Sequence, residues 1–287
     1  MYAITGISGN VGSVVAEHLL AAHVPVRAVL RDARKAPGWT ERGCEVAIAD
    51  IGDAAAMARA FSGADAVFLM VPPLFDPLPG FPEALAIADS LKTALQTARP
   101  GRVVYLSTIG AQAAQANLLT QHTLIENALK DLSLPISFLR PGWFMENHVW
   151  DVAAARDRGV VPSFLQPLGK PVPMVATADI GRVAAELMQA TWAGHRVVEL
   201  EGPKRVTPNE IAAAFTKVLG HPVRMEAVPR DSWEPLFRSQ GVKNPEPRIR
   251  MLDGFNEGWI EFEAASRKGT VELEAVLKTL VGQQKKG

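Results

Sequence analysis

Cysteine is almost absent from this sequence. Cys44 stands alone, so no internal disulfide can form and the fold does not depend on an oxidising compartment. Beside an apolar run, it is expected to be a small buried residue rather than a reactive thiol. Net charge is missing too. The 287 residues carry 30 basic and 30 acidic side chains, which argues against nucleic-acid binding, where a basic excess or patch is usual. Nor is there a long hydrophobic run. The most apolar window, Gly12–Leu30, contains Glu17, His18, His23, Pro25 and Arg27, which a membrane span would not carry cheaply. The first strand-like run starts at Tyr2 and passes straight into a glycine turn, leaving no room for a signal peptide. A cytoplasmic protein without a membrane segment is expected. The six histidines (His18, His23, His122, His148, His195 and His221) show no ligand spacing, so no metal site is expected. A Gly-x-Ser-x-Gly elbow for hydrolysis is lacking as well. Tyrosine is the last scarcity: Tyr2 and Tyr105 are the only two, both in strand-like runs.

What is present is a regular alternation. Tyr2–Thr5, Val26–Leu30, Glu45–Ile48, Ala66–Val71, Arg102–Ser107 and Ile136–Leu139 read as strands. Between them, helical spacing predicts a helix bearing Val11, Val15 and Leu19, then Asp53–Phe61, Pro82–Ala98 and Asn117–Leu132. Such alternation gives an α/β fold with a parallel sheet covered on both faces. After Arg140 the pattern loosens through Pro141, Pro162, Pro167, Pro171 and Pro173. Helices are expected over Asn147–Arg158, over Thr177–Thr191 with Thr177 or Asp179 as cap, and over Thr207–Leu219 with Thr207 as cap and Gly220 as stop. Arg196–Leu200 reads as a strand returning to the main sheet, Asp231–Lys278 as mostly helical, and Gln283–Gly287 as a frayed tail. The predicted division is a dinucleotide-binding domain over 1–142, joined by 176–202, and a smaller lobe from 143–175 and 203–287.

The turn Gly6-Ile7-Ser8-Gly9-Asn10-Val11-Gly12 lies between the first strand and first helix. Its glycines permit a tight turn, close approach of backbone to a pyrophosphate, and close helix–strand packing. Free N–H groups at the helix start would meet the phosphates. The position inside a complete strand–helix–strand unit makes the motif specific. About twenty residues on, Arg31 follows the second strand, where an Arg accepts the 2′-phosphate of NADP and an acid would hold the ribose of NAD. NADP(H) is therefore favoured, with Asp32 as the competing acid. Asp50, beside Ile51, is either an acceptor for an adenine amino group or an ordinary loop acid, and Asp53 a helix cap.

These features, with Ser107-Thr108-Ile109-Gly110, Arg140-Pro141-Gly142-Trp143-Phe144-Met145-Glu146-Asn147 and Ala178-Asp179-Ile180-Gly181, resemble the NmrA-like branch of the atypical short-chain dehydrogenases. The resemblance implies a doubly wound Rossmann sheet with a small, mostly helical C-terminal substrate lobe. It implies Val71 and Pro72 beside the cofactor, and the segment from Pro141 to Phe144 along the nicotinamide. Family members are similar to NAD(P)H-dependent quinone reductases or to cofactor-sensing regulators. The wider superfamily carries a Tyr, and a Lys four residues later, on the helix after the fifth strand; here those positions hold Leu118 and His122. His122 is open to two readings, a hydrogen-bonding or proton-shuttling group at the nicotinamide ribose or a surface pair with Glu126. Ser107 and Thr108 are expected to line the pocket. Trp143, Phe144, Asn147 and Trp150 would either wall a flat substrate or belong to the core. Three functions fit: an NADPH-dependent reductase of quinone-like carbonyl compounds working without the usual Tyr–Lys pair, a non-catalytic NADP(H) sensor, or a reductase or isomerase of phenolics.

Overall fold

The computed structural model describes residues 1–284. The first half alternates β1 (Tyr2–Thr5), α1 (Asn10–Ala21), β2 (Val26–Leu30), α2 (Ala36–Glu41), β3 (Glu45–Ile48), α3 (Ala54–Phe61), β4 (Ala66–Leu69), α4 (Pro82–Ala98), β5 (Val103–Leu106), α5 (Thr120–Lys130) and β6 (Ile136–Pro141). The second half runs through β7 (Trp143–Phe144), a 3-10 segment Met145–Trp150, α6 (Val152–Arg158), β8 (Val160–Ser163), β9 (Met174–Val175), α7 (Thr177–Gln189), β10 (His195–Glu201), α8 (Pro208–Leu219), β11 (Arg224–Ala227), α9 (Trp233–Ser239), α10 (Glu246–Glu257), β12 (Arg267–Lys268) and α11 (Leu273–Gln283).

Among the described residues, the main sheet has eight strands in the order β12-β10-β6-β5-β4-β1-β2-β3, and every pairing in it is parallel. Alternate side chains of each strand feed opposite faces. Ile4, Phe68, Val104 and Leu106 pack with α1 and α7 through Val11, Val15, Leu19, Ile180 and Leu187. Ala3, Val67, Leu69, Val103 and Tyr105 pack with α3, α4 and α5 through Phe61, Leu91, Leu95 and Ile125. That double covering explains why β4 is apolar at every position. Both wings grow from the centre, so the strand order reverses between β1 and β4. In such sheets ligands bind outside the carboxyl ends of the strands at that point.

Beyond β6 a third core gathers Val152, Val161, Met174, Phe215, Phe255 and Leu277, and a fourth is built on Trp233, Phe237, Ile249 and Leu252. α8 begins as its sequence predicts. Thr207 accepts from Glu210 N, and Glu210 accepts from Thr207 N, a reciprocal capping box. Gly220, at φ +78°, closes the helix.

Four expectations change. α5 starts at Thr120 rather than Asn117, because Asn117 forms its own turn: its Oδ1 accepts from Leu119 N and its N–H donates to Thr120 Oγ1. Leu118 therefore precedes the helix, its N–H bonded to Pro247 O. The helix expected over Asn147–Arg158 opens as a 3-10 segment and becomes α6 only at Val152. Neither Thr177 nor Asp179 caps α7. Glu146 reaches across instead, taking Thr177 N at 2.9 Å and Thr177 Oγ1 at 2.7 Å. The final third is broken: α10 stops at Gly258, φ +95°, and most of the following stretch to β12 lacks helix. Of the expected tail, Gln283 ends α11 and Gln284 donates to Val149 O; 285–287 lie outside the described residues. No helix among those residues is long and apolar enough to cross a membrane.

Candidate functional site

At the reversal of strand order, Thr5 Oγ1 accepts from Met70 N at 2.7 Å and donates to Met70 O at 3.1 Å, locking β1 to the exit of β4. The chain then turns through Gly6 at φ +61°, a conformation that suits glycine. A Cβ on Gly6 would collide with Met70 Cε, and one on Gly12 would collide with Gly6 O and lie 2.7 Å from Gly6 C. α1 thus presses directly on the turn. Its N-cap, Gly9, has no side chain to offer, and the N–H groups of Asn10, Val11 and Gly12 find no acceptor among the described residues. Ser8 and Asn10 are exposed at the rim. A backbone cradle of free donors at the positive end of a helix fits a dinucleotide pyrophosphate.

At the end of β2, the two competing side chains part company. Asp32 accepts from Arg34 N at 3.0 Å and from Arg34 Nε at 2.9 Å, and the Arg34 hydrogen bonds hold its carboxyl below the usual range. Arg31 is exposed and has no ion-pair or hydrogen-bond partner among the described residues. Asp50 accepts from Gly52 N at 2.9 Å, closing its own turn. Asp53 caps α3 through Ala56 N. Ile51 is partly buried, with its carbonyl bonded to Ser90 Oγ. Val71 is half-covered and Pro72 exposed. Cys44 is buried, and burial raises its thiol pKa, as befits a packing residue.

The floor beside β5 is polar and buried. Ser107 Oγ donates to Glu126 Oε1 at 2.6 Å, and Arg140 grips Glu126 through Nε and Nη2 at 2.9 and 2.7 Å. Burial pushes the Glu126 carboxyl up, but Arg140 and Ser107 pull it below its usual value. Ser107 is thus committed as a donor, while Thr108 beside it is only partly buried. Glu126 is spoken for, so the surface pair of His122 with Glu126 does not form. His122 instead meets Tyr105, with Tyr105 Oη 2.7 Å from Nδ1.

This contact fixes a tautomer. Tyr105 is fully buried and its hydroxyl has no other acceptor among the described residues. If Nδ1–H were the donor, a buried O–H would be left unpaired, which costs on the order of 1–3 kcal/mol. The hydroxyl therefore donates to Nδ1, and the ring proton sits on Nε2. Nε2 has no protein partner and is not enclosed. Burial drives the His122 pKa down to about 4, opposed by Glu126, so the ring is neutral near pH 7. The Tyr105 pKa is raised, by burial first and by Glu126 second.

Two ties join the C-terminal elements to the loops at this end of the sheet: Asp76 accepts from Lys243 N and Asn244 N, and Leu118 N donates to Pro247 O. Gln121 Nε2 donates to Leu74 O, joining α5 to the loop after β4. After the buried Pro141, Trp143 packs edge-on against Phe255 at 5.3 Å, and Phe144 turns toward the α1–α7 core. The other two aromatic-segment candidates diverge: Asn147 is exposed and Trp150 stands 85% exposed. Sequence reasoning had no role for Tyr105 as a partner of His122 or for the Glu126–Arg140 pair, and it read Asp179 only as a possible cap of α7. Buried Asp179 accepts from Thr270 N and Val271 N, tying α7 to the entry of α11. Only the unusual burial demanded of Glu126, Arg140 and Asp179 by their apolar neighbours in sequence could have signalled these pairings.

The NAD(P)H azoreductase of Xenophilus azovorans is 28% identical over 260 residues, covering 90% of this chain and 85% of its own. Quinone oxidoreductase 2 of Escherichia coli is 28% identical over 289 residues, covering 98% and 94%. The solved structure of the NADPH-dependent quinone oxidoreductase of Escherichia coli with NADPH superposes with a TM-score of 0.77 at 24% identity, covering 98% of this chain and 95% of that one. Residues 2–258 match the NmrA-like family, and the chain belongs to it.

Proposed function

We propose that this protein is an NADPH-dependent reductase of flat, conjugated carbonyl compounds, quinones foremost, with 1–142 and 176–202 holding the cofactor and the remaining segments covering the substrate. The observation that carries the reading is the uncapped start of α1 over a turn in which Gly12 has no room for a side chain. The azoreductase and quinone oxidoreductase relatives support the acceptor class. The free Arg31, set against an Asp32 already committed to Arg34, supports the phosphorylated cofactor. Bound NADPH would supply the hydride.

The chain's own residues position and stabilise. The α1 N–H groups hold the pyrophosphate, Arg31 the 2′-phosphate, and Ile51 with Val71 and Pro72 the adenosine side, where Asp50 offers its second carboxylate oxygen. Ser107, Thr108, Pro141 and Phe144 border the nicotinamide, and Trp143 gives the substrate an aromatic wall. Asn147 and Trp150, both exposed on the segment after Trp143, stand at its rim, open to a substrate that enters from solvent. His122 offers Nε2–H as a hydrogen-bond donor to the ribose or the developing oxyanion. With a pKa of about 4, only on the order of one ring in a thousand is protonated at pH 7, so it serves as a donor rather than a general acid. Water then protonates the product. Quinone reduction is driven by aromatisation and needs little acid, so positioning suffices.

Mixing the protein with NADPH and a panel of quinones, and following the nicotinamide absorbance, tests the proposal. Turnover of at least one quinone is expected; tight NADPH binding with none would leave the sensor reading in its place.

A further inference from the structure

The segment that leaves β4 touches three parts of the molecule in turn. It starts at the reversal of strand order, where the ligand crevice of such a sheet is flanked by the loops leaving β1 and β4. Met70 is fixed there by Thr5 and lies against Gly6. Val71, half-covered, and Pro72, exposed, continue from it. Leu74 O then accepts from Gln121 Nε2 at 2.9 Å, beside His122 on α5. Two residues on, Asp76 reaches the C-terminal lobe. Its Oδ2 accepts from Lys243 N at 3.0 Å and its Oδ1 from Asn244 N at 2.7 Å. No other hydrogen bond or ion pair joins this segment to the lobe among the described residues.

The segment is built to carry a displacement rather than absorb it. Pro72 and Pro73 fix their own φ angles and restrict the residues before them. At its far end, one carboxylate takes two consecutive backbone N–H groups, and charge-assisted bonds of this kind are the stronger ones. The same two N–H groups hold the Asp76 carboxyl below its usual range. What they belong to is the linker between α9 and α10, whose other end is tied at Pro247 O to Leu118 N. A linker of the lobe is therefore set by a side chain of the dinucleotide-binding half.

We propose that Asp76 couples the two binding events. A dinucleotide lying along Val71 and Pro72 sets the segment, Asp76 sets the linker, and the lobe holds its ligand more tightly when the cofactor is present. Asp76 is a positioning residue in this scheme, acting through Lys243 and Asn244. The identity of the second ligand rests on the reductase reading; the link from nucleotide to linker does not.

Hydrogen exchange tests that link with nucleotide alone. Pro245 and Pro247 carry no N–H, so a peptide spanning 241–248 reports on few amides, Lys243 and Asn244 among them. Saturating NADPH should slow its exchange about fivefold or more in the native protein. Unchanged exchange overturns the proposal. The second measurement is quinone Kd by tryptophan quenching, with and without 2′-phospho-ADP-ribose, which lacks the nicotinamide and so cannot stack on the quinone. The native protein should bind quinone about fivefold or more tightly with it. Asp76→Ala should bring that ratio toward one, and Asp76→Asn, which keeps one acceptor, should retain part of it. A purely structural role would weaken quinone equally in both conditions, and a ratio left intact by Asp76→Ala overturns the coupling. If no quinone binds or oxidises NADPH, the reductase reading falls and the exchange result still decides the role of Asp76. Should Asp76→Ala misfold, the native exchange and Asp76→Asn decide it.

Discussion

His122 makes the fold sensitive to acid in a calculable way. In the folded chain its pKa is about 4, against an ordinary 6.5, because the ring lies beside Tyr105 and the apolar inner face of α5. The unfolded chain therefore binds the proton more readily, and stability falls as pH drops through the interval from 6.5 toward 4 and is fully present above it. At about 1.36 kcal/mol per pH unit of difference, the ceiling is about 3 kcal/mol, of which about 2 kcal/mol is already lost at pH 5. Other groups titrate in the same range, so the comparison needs a variant in which only this ring is gone. His122→Gln retains an acceptor for the Tyr105 hydroxyl and a donor beyond it, and cannot titrate. Urea unfolding of both proteins at pH 7 and pH 5 should show the native chain losing about 2 kcal/mol more than the variant between the two. Equal losses would mean that His122 is not held neutral by the fold, and the donor role assigned to Nε2 would go with it. A ring neutral from pH 6 to 8 also predicts that kcat with a quinone shows no imidazole ionisation over that range.

Two substitutions probe the cofactor cradle. Gly12→Ala brings a methyl group against Gly6 O, with Ile7 Cα 2.9 Å away; backbone cannot swing aside, so NADPH affinity should fall more than tenfold with a loss of about 1–3 kcal/mol in stability. Gly38→Ala in α2, where the added carbon meets nothing within 4 Å, serves as the control: NADPH affinity should not change, and the melt should show no loss of stability and a gain of up to about 1 kcal/mol. Arg31→Ala should weaken NADPH by about ten- to a hundredfold and leave NADH nearly unchanged, measured by nucleotide fluorescence. A retained preference would place the 2′-phosphate elsewhere.

The parallel sheet was legible because its signals are local. β2 and β3 lie where the apolar runs begin and end, and α4 spans Pro82–Ala98 as its spacing predicts. The glycine turn was legible for the same reason at Gly12, which closes on Gly6 six residues back, while the close approach of Met70 to Gly6 was not. What stayed hidden is held by partners distant in sequence. The start of α7 looks self-capping, but Glu146 satisfies it from 31 positions away, which frees Asp179 to hold a backbone turn 91 positions on. No helical periodicity encodes such an exchange. The break after α10 was equally hidden, although Gly258 in hindsight marks it.

The floor beside β5, where the proposed reduction would take place, shows the same distinction at the level of chemistry. The reasoning that a Tyr must precede the Lys position on one helix looks for a phenol in chain order, and there it finds Leu118. Tyr105 comes instead from the middle of β5, with its side chain directed at α5, and arrives at His122 from beneath. Its role is also inverted. A superfamily tyrosine faces substrate and gives up a proton, whereas Tyr105 is sealed in the core, its pKa raised by burial, and spends its hydrogen on Nδ1. In the proposed mechanism the scarcity of tyrosine thus takes away the usual acid without emptying the position of order. A phenol held protonated beneath the ring keeps Nε2–H turned outward at neutral pH, a fixed donor suited to a reduction that needs charge stabilised more than it needs a proton delivered.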